Sequence, residues 1–446
     1  MKSVHFISLG CAKNLVDAEV MLADMEQHGY CIEQDPQGAD ILLVNTCGFI
    51  QPAVEEAIDE VLRMAALKRE RSGVYLVVSG CMVQRYGREL YEALPEVDLF
   101  LAIDDFPHIG AALDDLMAGN KKELDVRPSR YLMDAGVSRK IATPVHRSYL
   151  KITEGCNNHC SYCMIPSIRG RLRSRAVADL VQEAQLLEAQ GVQELTLIAQ
   201  DLTAYGQDRS DGAGLVPLMD ALLRHSSIPW FRLMYLYPSG VSNALLELMA
   251  SQPRIVPYLD IPFQHVSDTI LRAMNRPYGT EILDNLISRI RSYLPDCALR
   301  TTLMVGFPGE SEEDIDFMLS RLNRWQIDHV GTFQYQAEEG SPAADYGPVV
   351  PEKIREKRYE RIMEAQKIIS QTKLQKYVGR VEPVLIEGLS RESDLLLEGR
   401  TRFQAPDIDG SVLITCGQVA QGDIVPVHIE EAHTYDLVGE VVANVL

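Results

Sequence analysis

Over the first ~110 residues, short apolar runs alternate with stretches of helical spacing. Runs 4–9, 40–44, 74–78 and 99–103 are brief and apolar, the pattern of strands buried on both faces. Between them, residues 15–28 repeat apolar side chains at Leu15, Ala18, Leu22 and Met25 along one helical stripe. Residues 53–69 read as a second helix, with Pro52 suited to its first turn. This alternation predicts a doubly wound parallel sheet with helices on both faces.

From 111 to 147 the pattern breaks into a connector with Gly119-Asn120-Lys121-Lys122, Pro128 and Pro144, and room for a hairpin. A second strand–helix series follows. Its strands are expected at 148–153, 195–199, 231–235, 258–261, 299–305 and 329–335, with helices such as 177–189 and 282–293 between them. Six such units predict a partial parallel barrel with an open side, since a closed one takes eight. Residues 352–376, rich in Glu, Lys, Arg, Ile and Gln, predict one exposed helix. The remaining chain switches to short β-type runs at 384–386, 395–397, 412–414, 424–429 and 437–442, the signature of a small antiparallel barrel.

The chain has 446 residues, and at roughly 150 per domain about three domains are expected. Hydrophobic residues make up 46% and charged residues 24%, which excludes a disordered chain. Acidic side chains number 63 against 43 basic, a formal net charge of −20. That balance suits a basic partner and argues against strong direct nucleic-acid binding, with plain solubility as the competing explanation. No apolar run reaches the ~18–20 residues that span a bilayer, so no membrane association is expected. The N-terminal run is short and contains His5, which reads as a first strand and not a signal peptide. The nine cysteines are therefore expected in a reducing cytoplasm, where metal or redox use outranks disulfides.

Three of them lie in Cys156-Asn157-Asn158-His159-Cys160-Ser161-Tyr162-Cys163, directly after a predicted barrel strand, the edge where parallel barrels place their chemistry. Three thiolates on one tight loop can hold three corners of a [4Fe–4S] cube and leave its fourth iron open to substrate, unlike the four-cysteine clusters of ferredoxins. The competing reading is structural zinc, which favours a second Cys or His pair downstream. No downstream Cys pair exists here, and His159 would overcrowd the loop.

Cys11, Cys47 and Cys81 share no local motif, yet each follows a predicted strand by one to three residues. In a doubly wound sheet such turns converge at the carboxyl edge, where helix N-termini favour thiolates. Gly10, Gly48 and Gly80 permit close turns there. Three converging thiolates suggest a second cluster; the competing reading is three small buried hydrophobes. Cys31, Cys297 and Cys416 match neither group and read as core or surface thiols.

The C-x3-C-x2-C loop with an aromatic before its last Cys resembles the radical S-adenosylmethionine (SAM) superfamily. The resemblance implies that Cys156, Cys160 and Cys163 bind a [4Fe–4S] cluster, that SAM binds its open iron, and that Tyr162 lies by the adenine. With the second Cys trio and the C-terminal barrel, the whole chain resembles the methylthiotransferases. That implies a flavodoxin-like domain at 2–118, a radical SAM core at 142–372 and a TRAM-type barrel at 374–442. It also implies two [4Fe–4S] clusters, the second on Cys11, Cys47 and Cys81, with SAM serving as methyl donor and as source of the 5′-deoxyadenosyl radical.

The family's two branches modify a tRNA adenosine or an aspartate β-carbon of ribosomal protein uS12. Ser8-Leu9-Gly10-Cys11-Ala12-Lys13-Asn14-Leu15-Val16-Asp17 and Cys163-Met164-Ile165-Pro166-Ser167-Ile168-Arg169-Gly170 resemble the ribosomal-protein branch, departing from it at Ala12 and Ile168. The implied partners are uS12, free or in the small subunit, and an electron donor. Charge points the same way: from Lys376 onward there are twelve acidic and five basic residues, the wrong sign for gripping tRNA. The tRNA branch is the alternative.

Further candidates are Gln200 and Asp201, which end the second barrel strand where superfamily members contact SAM, and Gly306, whose missing side chain would admit adenine. Each is equally an ordinary strand-end residue. His265 is either a proton carrier or a structural hydrogen-bond partner. Arg169, Arg171, Arg173 and Arg175 form a basic run whose default is a solvated face, with contact to SAM or the target aspartate as the alternative.

Overall fold

The computed structural model describes residues 2–120, 124–390, 393 and 395–442. Lys121 and Lys122 of the connector, and Arg391, Glu392 and Asp394 of the C-terminal charge count, lie outside the described residues.

The N-terminal unit runs β1 (Ser3–Ser8), α1 (Ala12–Gln27), β2 (Cys31–Ile32), β3 (Ile41–Thr46), α2 (Gln51–Glu70), β4 (Tyr75–Gly80), α3 (Cys81–Ala93), β5 (Leu99–Leu101) and α4 (Ile109–Met117). All strand pairs are parallel, in the order β2-β1-β3-β4-β5. This is the flavodoxin-like order, whose strand sequence reverses between β1 and β3. Every residue of β3 is buried, which is why it reads as a continuous apolar run. The two-residue edge strand β2 is too short to leave a periodic signal in the sequence. No hairpin occurs in the connector among the described residues; α4 occupies its start.

The central unit has six parallel strands: β6 (Arg147–Lys151), β9 (Glu194–Ile198), β10 (Trp230–Leu233), β11 (Ile255–Asp260), β12 (Ala298–Val305) and β13 (His329–Gln334). Their order β13-β12-β11-β10-β9-β6 leaves the barrel open between the first and last strands. Helices α6 (Val177–Ala189), α7 (Leu215–His225), α8 (Asn243–Ser251), α9 (Asp268–Ala273), α10 (Thr280–Tyr293) and α11 (Glu312–Trp325) cover the outside. The segment after β6 adds a small antiparallel pair, β7 (Thr153–Glu154) with β8 (Arg173–Ser174), and the short helix α5 (Ile165–Arg169).

Helix α12 (Glu352–Leu374) is not the exposed helix its composition predicts. Ile362, Gln366, Ile369 and Leu374 are buried, and the Gln366 amide donates to the carbonyls of Ile327 and Asp328 just before β13. The charged majority of the helix hides this one inward stripe.

Strands β14 (Val381–Leu389), β15 (Leu397–Thr401), β16 (Val412–Cys416), β17 (Ile424–Ala432) and β18 (Leu437–Val441) form a closed barrel. It is not wholly antiparallel: β16 and β18 pair in parallel. An odd number of strands cannot alternate direction around a closed ring, so one parallel pair is unavoidable. The barrel docks beneath the central unit. Its 401–409 segment meets residues that begin central strands: Arg147 pairs with Asp407 at 2.8 Å, and His329 Nε2 lies 3.0 Å from the Phe403 carbonyl. At the same end, Glu194 is held by Arg400 and Arg232, each at 2.5 Å. The opposite, carboxyl end of the central strands is thereby left to the cysteine loop.

Candidate functional site

The three N-terminal turns converge as the strand order requires. Cys11 and Cys47 follow β1 and β3, the pair flanking the reversal point, and Cys81 opens α3 directly after β4. Glycine makes the approach possible. A side chain on Gly10 would come within 3.0 Å of Cys47 Cβ, and one on Gly48 within 2.7 Å of the Cys81 carbonyl. Gly80 sits at φ +104°, where a Cβ would strike the Thr46 carbonyl at 2.4 Å.

Cys156, Cys160 and Cys163 sit on the loop between β7 and α5. The loop is closed by the Cys156 N–H donating to the Gly170 carbonyl at 3.1 Å, and by Gly155 at φ +70°, packed where a Cβ would hit the Arg171 carbonyl. Backbone N–H groups face two of the sulfurs, from Asn158 to Cys156 at 3.4 Å and from Ile165 to Cys163 at 3.5 Å.

All three thiols line one cavity of about 690 Å³, within the size range of small-molecule and cofactor sites. Tyr162, Gln200, Gln264, Arg276 and Met304 belong to its central-unit wall. Lys13, Phe49, Ile50 and Pro52 form the facing wall, contributed by the N-terminal unit within a few residues of Cys11 and Cys47. Cys11, Cys47 and Cys81 do not themselves line the cavity.

Each trio offers three free thiols, a donor set that suits an iron–sulfur group. Zinc–sulfur bonds of about 2.3 Å place the sulfurs around one ion about 3.8 Å apart. Among the described residues, the group with three ligand atoms mutually within 4.8 Å is half-buried His428 with exposed Glu430 and Glu440, and neither cysteine trio is drawn so tight. His159 is exposed and does not line the cavity, which removes it from the zinc alternative. All six cysteines are free thiols.

Their electrostatics differ. Burial pushes Cys156 up to about 11 and Cys163 up to about 12. Burial likewise raises Cys47, and lifts Cys81 to about 12 against the pull of Arg169. Cys11 is lowered: burial opposes ionisation there, but Lys13, backbone N–H groups and Arg169 together outweigh it. A bound metal group would deprotonate such thiols outright.

The remaining candidates separate. Tyr162 lines the cavity and its hydroxyl accepts from Arg276 at 2.7 Å. Gln200 lines it as well. Asp201 does not; one oxygen caps the turn at Thr203 and Ala204, and the other accepts from Asn158 at 2.8 Å, so it braces the cysteine loop. Gly306 does not line the cavity, and the Arg355 side chain packs over it, 2.3 Å from where a Cβ would stand. His265 is fully buried, its Nδ1 accepting from the Ser267 N–H and its Nε2 3.3 Å from Glu310, a structural role. The basic run is not a solvated face: Arg169 and Arg175 are buried, and only Arg171 is exposed.

Lys13, Arg276 and Gln264 were not singled out by the sequence. Lys13 Nζ lies 3.6 Å from the centre of the Tyr235 ring. Arg276 is a buried cation walled by Tyr162, Tyr237 and Tyr278, with Nε unpartnered among the described residues. Gln264 is held at φ +71°, and its Oε1 likewise has no partner there. A non-glycine residue in that conformation marks a constrained, often functional position, a signal invisible in sequence.

Comparison with known proteins agrees with this geometry. Residues 3–102 match the uncharacterized protein family UPF0004, 150–322 the radical SAM superfamily and 378–442 the TRAM domain. The chain is 52% identical to a ribosomal protein uS12 methylthiotransferase RimO of Desulfotalea psychrophila, over 98% of this chain and 99% of that one. It is 46% identical to the protein of that name from Syntrophotalea carbinolica, over 99% and 97%. In fold it is similar to the radical SAM methyltransferase TsrM of Kitasatospora setae, with a TM-score of 0.55, 15% identity and 75% of each chain covered. A partial parallel barrel with a three-thiol loop at its carboxyl edge, in a segment that matches the radical SAM superfamily, defines the class of this enzyme. Within that class, the chain belongs to the RimO family of methylthiotransferases.

Proposed function

We propose that this chain transfers a methylthio group to the β-carbon of an aspartate in ribosomal protein uS12, in the cytoplasm, using SAM and two [4Fe–4S] clusters. The observation that carries the reading is the shared cavity, with the Cys156–Cys160–Cys163 loop on one wall and the Cys11 and Cys47 turns behind the other. Cys156, Cys160 and Cys163 would hold one cluster; Cys11, Cys47 and Cys81 would hold the second. When bound, the first cluster with SAM supplies the radical that removes hydrogen from an unactivated carbon, and another SAM supplies the methyl group.

The chain's own residues do the rest. Backbone N–H groups of Asn158 and Ile165 offset negative charge on the cysteine sulfurs. Phe49, Ile50, Pro52, Met304 and Phe333 make the walls apolar and keep water from a reactive radical. Arg276 offers a fixed cation for a carboxylate, either SAM's or the target aspartate's, while Tyr162 and Gln200 shape the wall beside the thiols. An external one-electron donor is required.

No helix among the described residues is long and apolar enough to cross a membrane. The acidic C-terminal barrel suits a basic protein through steering, although part of its charge is already spent: Glu387, Asp407 and Asp409 pair with Arg147, Arg300 and Arg400 in the seam. Glu430, Glu431 and Glu440 remain exposed.

The test is anaerobic: iron and sulfide reconstitution, then reductant, SAM and a uS12 loop peptide bearing the aspartate, read by mass spectrometry. A methylthio mass gain on the aspartate is expected. 5′-Deoxyadenosine without peptide modification, together with methylthiolation of a tRNA adenosine, would replace this substrate with the other.

A further inference from the structure

Arg169 ends α5, six residues beyond Cys163, and its side chain is buried. It does not point back to its own loop. Its NH1 donates to Asp17 at 2.7 Å and to Glu154 at 3.2 Å, and its NH2 donates to the sulfur of Cys81 at 3.1 Å. Asp17 lies on α1, six residues past Cys11, and Cys81 opens α3. One guanidinium from the barrel-side cysteine loop thus reaches across the domain seam onto a thiol of the other trio.

Its orientation is fixed from all sides. Lys151 pairs with the same two carboxylates, with Glu154 at 2.5 Å and with Asp17. Two cations against two anions leave the buried cluster neutral, and with NH1 engaged by both carboxylates the planar fork of an arginine, always charged, still has NH2 to donate to sulfur. Lysine could satisfy Asp17 and Glu154 as a point charge, as Lys151 does; contact with a third group in a fixed direction is what the guanidinium adds.

We propose that Arg169 is a positioning residue that joins the two cysteine sites and, through its hydrogen bond to the Cys81 sulfur, raises the reduction potential of the cluster held by Cys11, Cys47 and Cys81. The inference rests on the reading of those three cysteines as cluster ligands. Hydrogen bonds and positive charge at cluster sulfurs favour the more negative, reduced form.

The experiment uses the full chain carrying Cys156→Ala, Cys160→Ala and Cys163→Ala, so that only the N-terminal trio can bind iron. The midpoint potential is read by electron paramagnetic resonance in a redox titration. Three forms are compared: Arg169 intact, Asp17→Asn alone, and Asp17→Asn with Arg169→Gln, a pair that removes one charge of each sign. The pair is expected to shift the oxidised-to-reduced ratio at a fixed poise at least tenfold toward oxidised, about 59 mV downward for one electron. Asp17→Asn alone removes a nearby negative charge and moves the potential no lower than the parent. An unmoved potential in the pair at full iron content overturns the inference. So does loss of iron from the pair, which would make Arg169 a strut and not a tuning group. Absence of any cluster when Arg169 is intact overturns the reading of Cys11, Cys47 and Cys81 itself, and this inference with it.

Discussion

Arg85 and Glu338 form a buried ion pair at 2.9 Å that ties the turn after Cys47 to the segment leaving the last central strand. Glu338 also accepts from the Gln51 N–H at 2.8 Å, and Arg85 donates to the Gly48 carbonyl at 3.0 Å. The pair is therefore a clamp on the wall that carries Phe49, Ile50 and Pro52. Glu338→Ala leaves Arg85 buried without its anion and is expected to cost ~3–5 kcal/mol. The double replacement Arg85→Met with Glu338→Leu leaves no stranded charge and recovers most of that loss. Urea unfolding of the parent and these two variants checks both statements; equal loss in single and double variants would rule out an electrostatic clamp.

Each cysteine trio predicts a separate defect. Cys156→Ala, Cys160→Ala or Cys163→Ala should remove about half the bound iron and abolish 5′-deoxyadenosine formation, because the open-iron site is lost. Cys11→Ala, Cys47→Ala or Cys81→Ala should also remove about half the iron, but should leave SAM cleavage and stop methylthio transfer. Iron analysis and chromatography of the anaerobic reaction separate the two classes. Methylthio product from a Cys47→Ala enzyme would sink the assignment of the N-terminal trio.

Much of this site was legible because its signals are local. The cysteine loop is eight residues long, and the dispersed thiols each follow a short apolar run that could only be a strand. The six central strands and four of the five in the small barrel were likewise visible as periodicity; the run expected at 395–397 ends where the strand Leu397–Thr401 begins, because Glu398, Gly399 and Arg400 break the apolar pattern. What escaped depends on distant partners. Arg169 reads as solvated until Asp17, on another domain, is brought to 2.7 Å. Arg175 is buried against Glu183 at 2.5 Å on the following helix. Gly306 reads as an opening until Arg355, from α12, packs over it. Charge burial is decided by tertiary pairing, which no window of sequence contains.

Gly48 should tolerate no side chain, for steric reasons alone. A methyl group there meets the Cys81 carbonyl carbon at 2.8 Å and the Met82 Cα at 2.8 Å, both backbone atoms that cannot swing away. Gly48→Ala is expected to push the Cys47 and Cys81 turns apart and to lower iron content by about half while 5′-deoxyadenosine formation persists. Gly29→Ala is the control: its φ of +81° carries strain of ~1–3 kcal/mol, yet nothing lies within 4 Å of the new methyl group. It should lower stability without touching the iron. Equal iron in Gly48→Ala and the parent would show that the turns need not approach so closely.

The seam beneath the central barrel should fail in acid. Burial would raise the Glu387 carboxyl, but His146, Arg400 and Arg147 outweigh it and hold the group down at about 2. A carboxylate depressed in the folded state adds stability above its unfolded value, roughly pH 4.3, and loses it as pH falls toward the folded one. With about two units between them, at ~1.4 kcal/mol each, Glu387 contributes about 3 kcal/mol near neutrality, and that contribution disappears between about pH 4.5 and 2. Its side chain is 15% exposed, so solvent screening removes only part of this. Glu387→Gln is neutral at every pH and cannot show that loss. The variant should be less stable than the parent at pH 7 and converge with it near pH 2, where Arg400 still retains Glu194 at 2.5 Å as a second anchor. Unfolding measured across that range decides the point: parallel curves for parent and variant would mean that Glu387 does not carry the acid sensitivity of the seam.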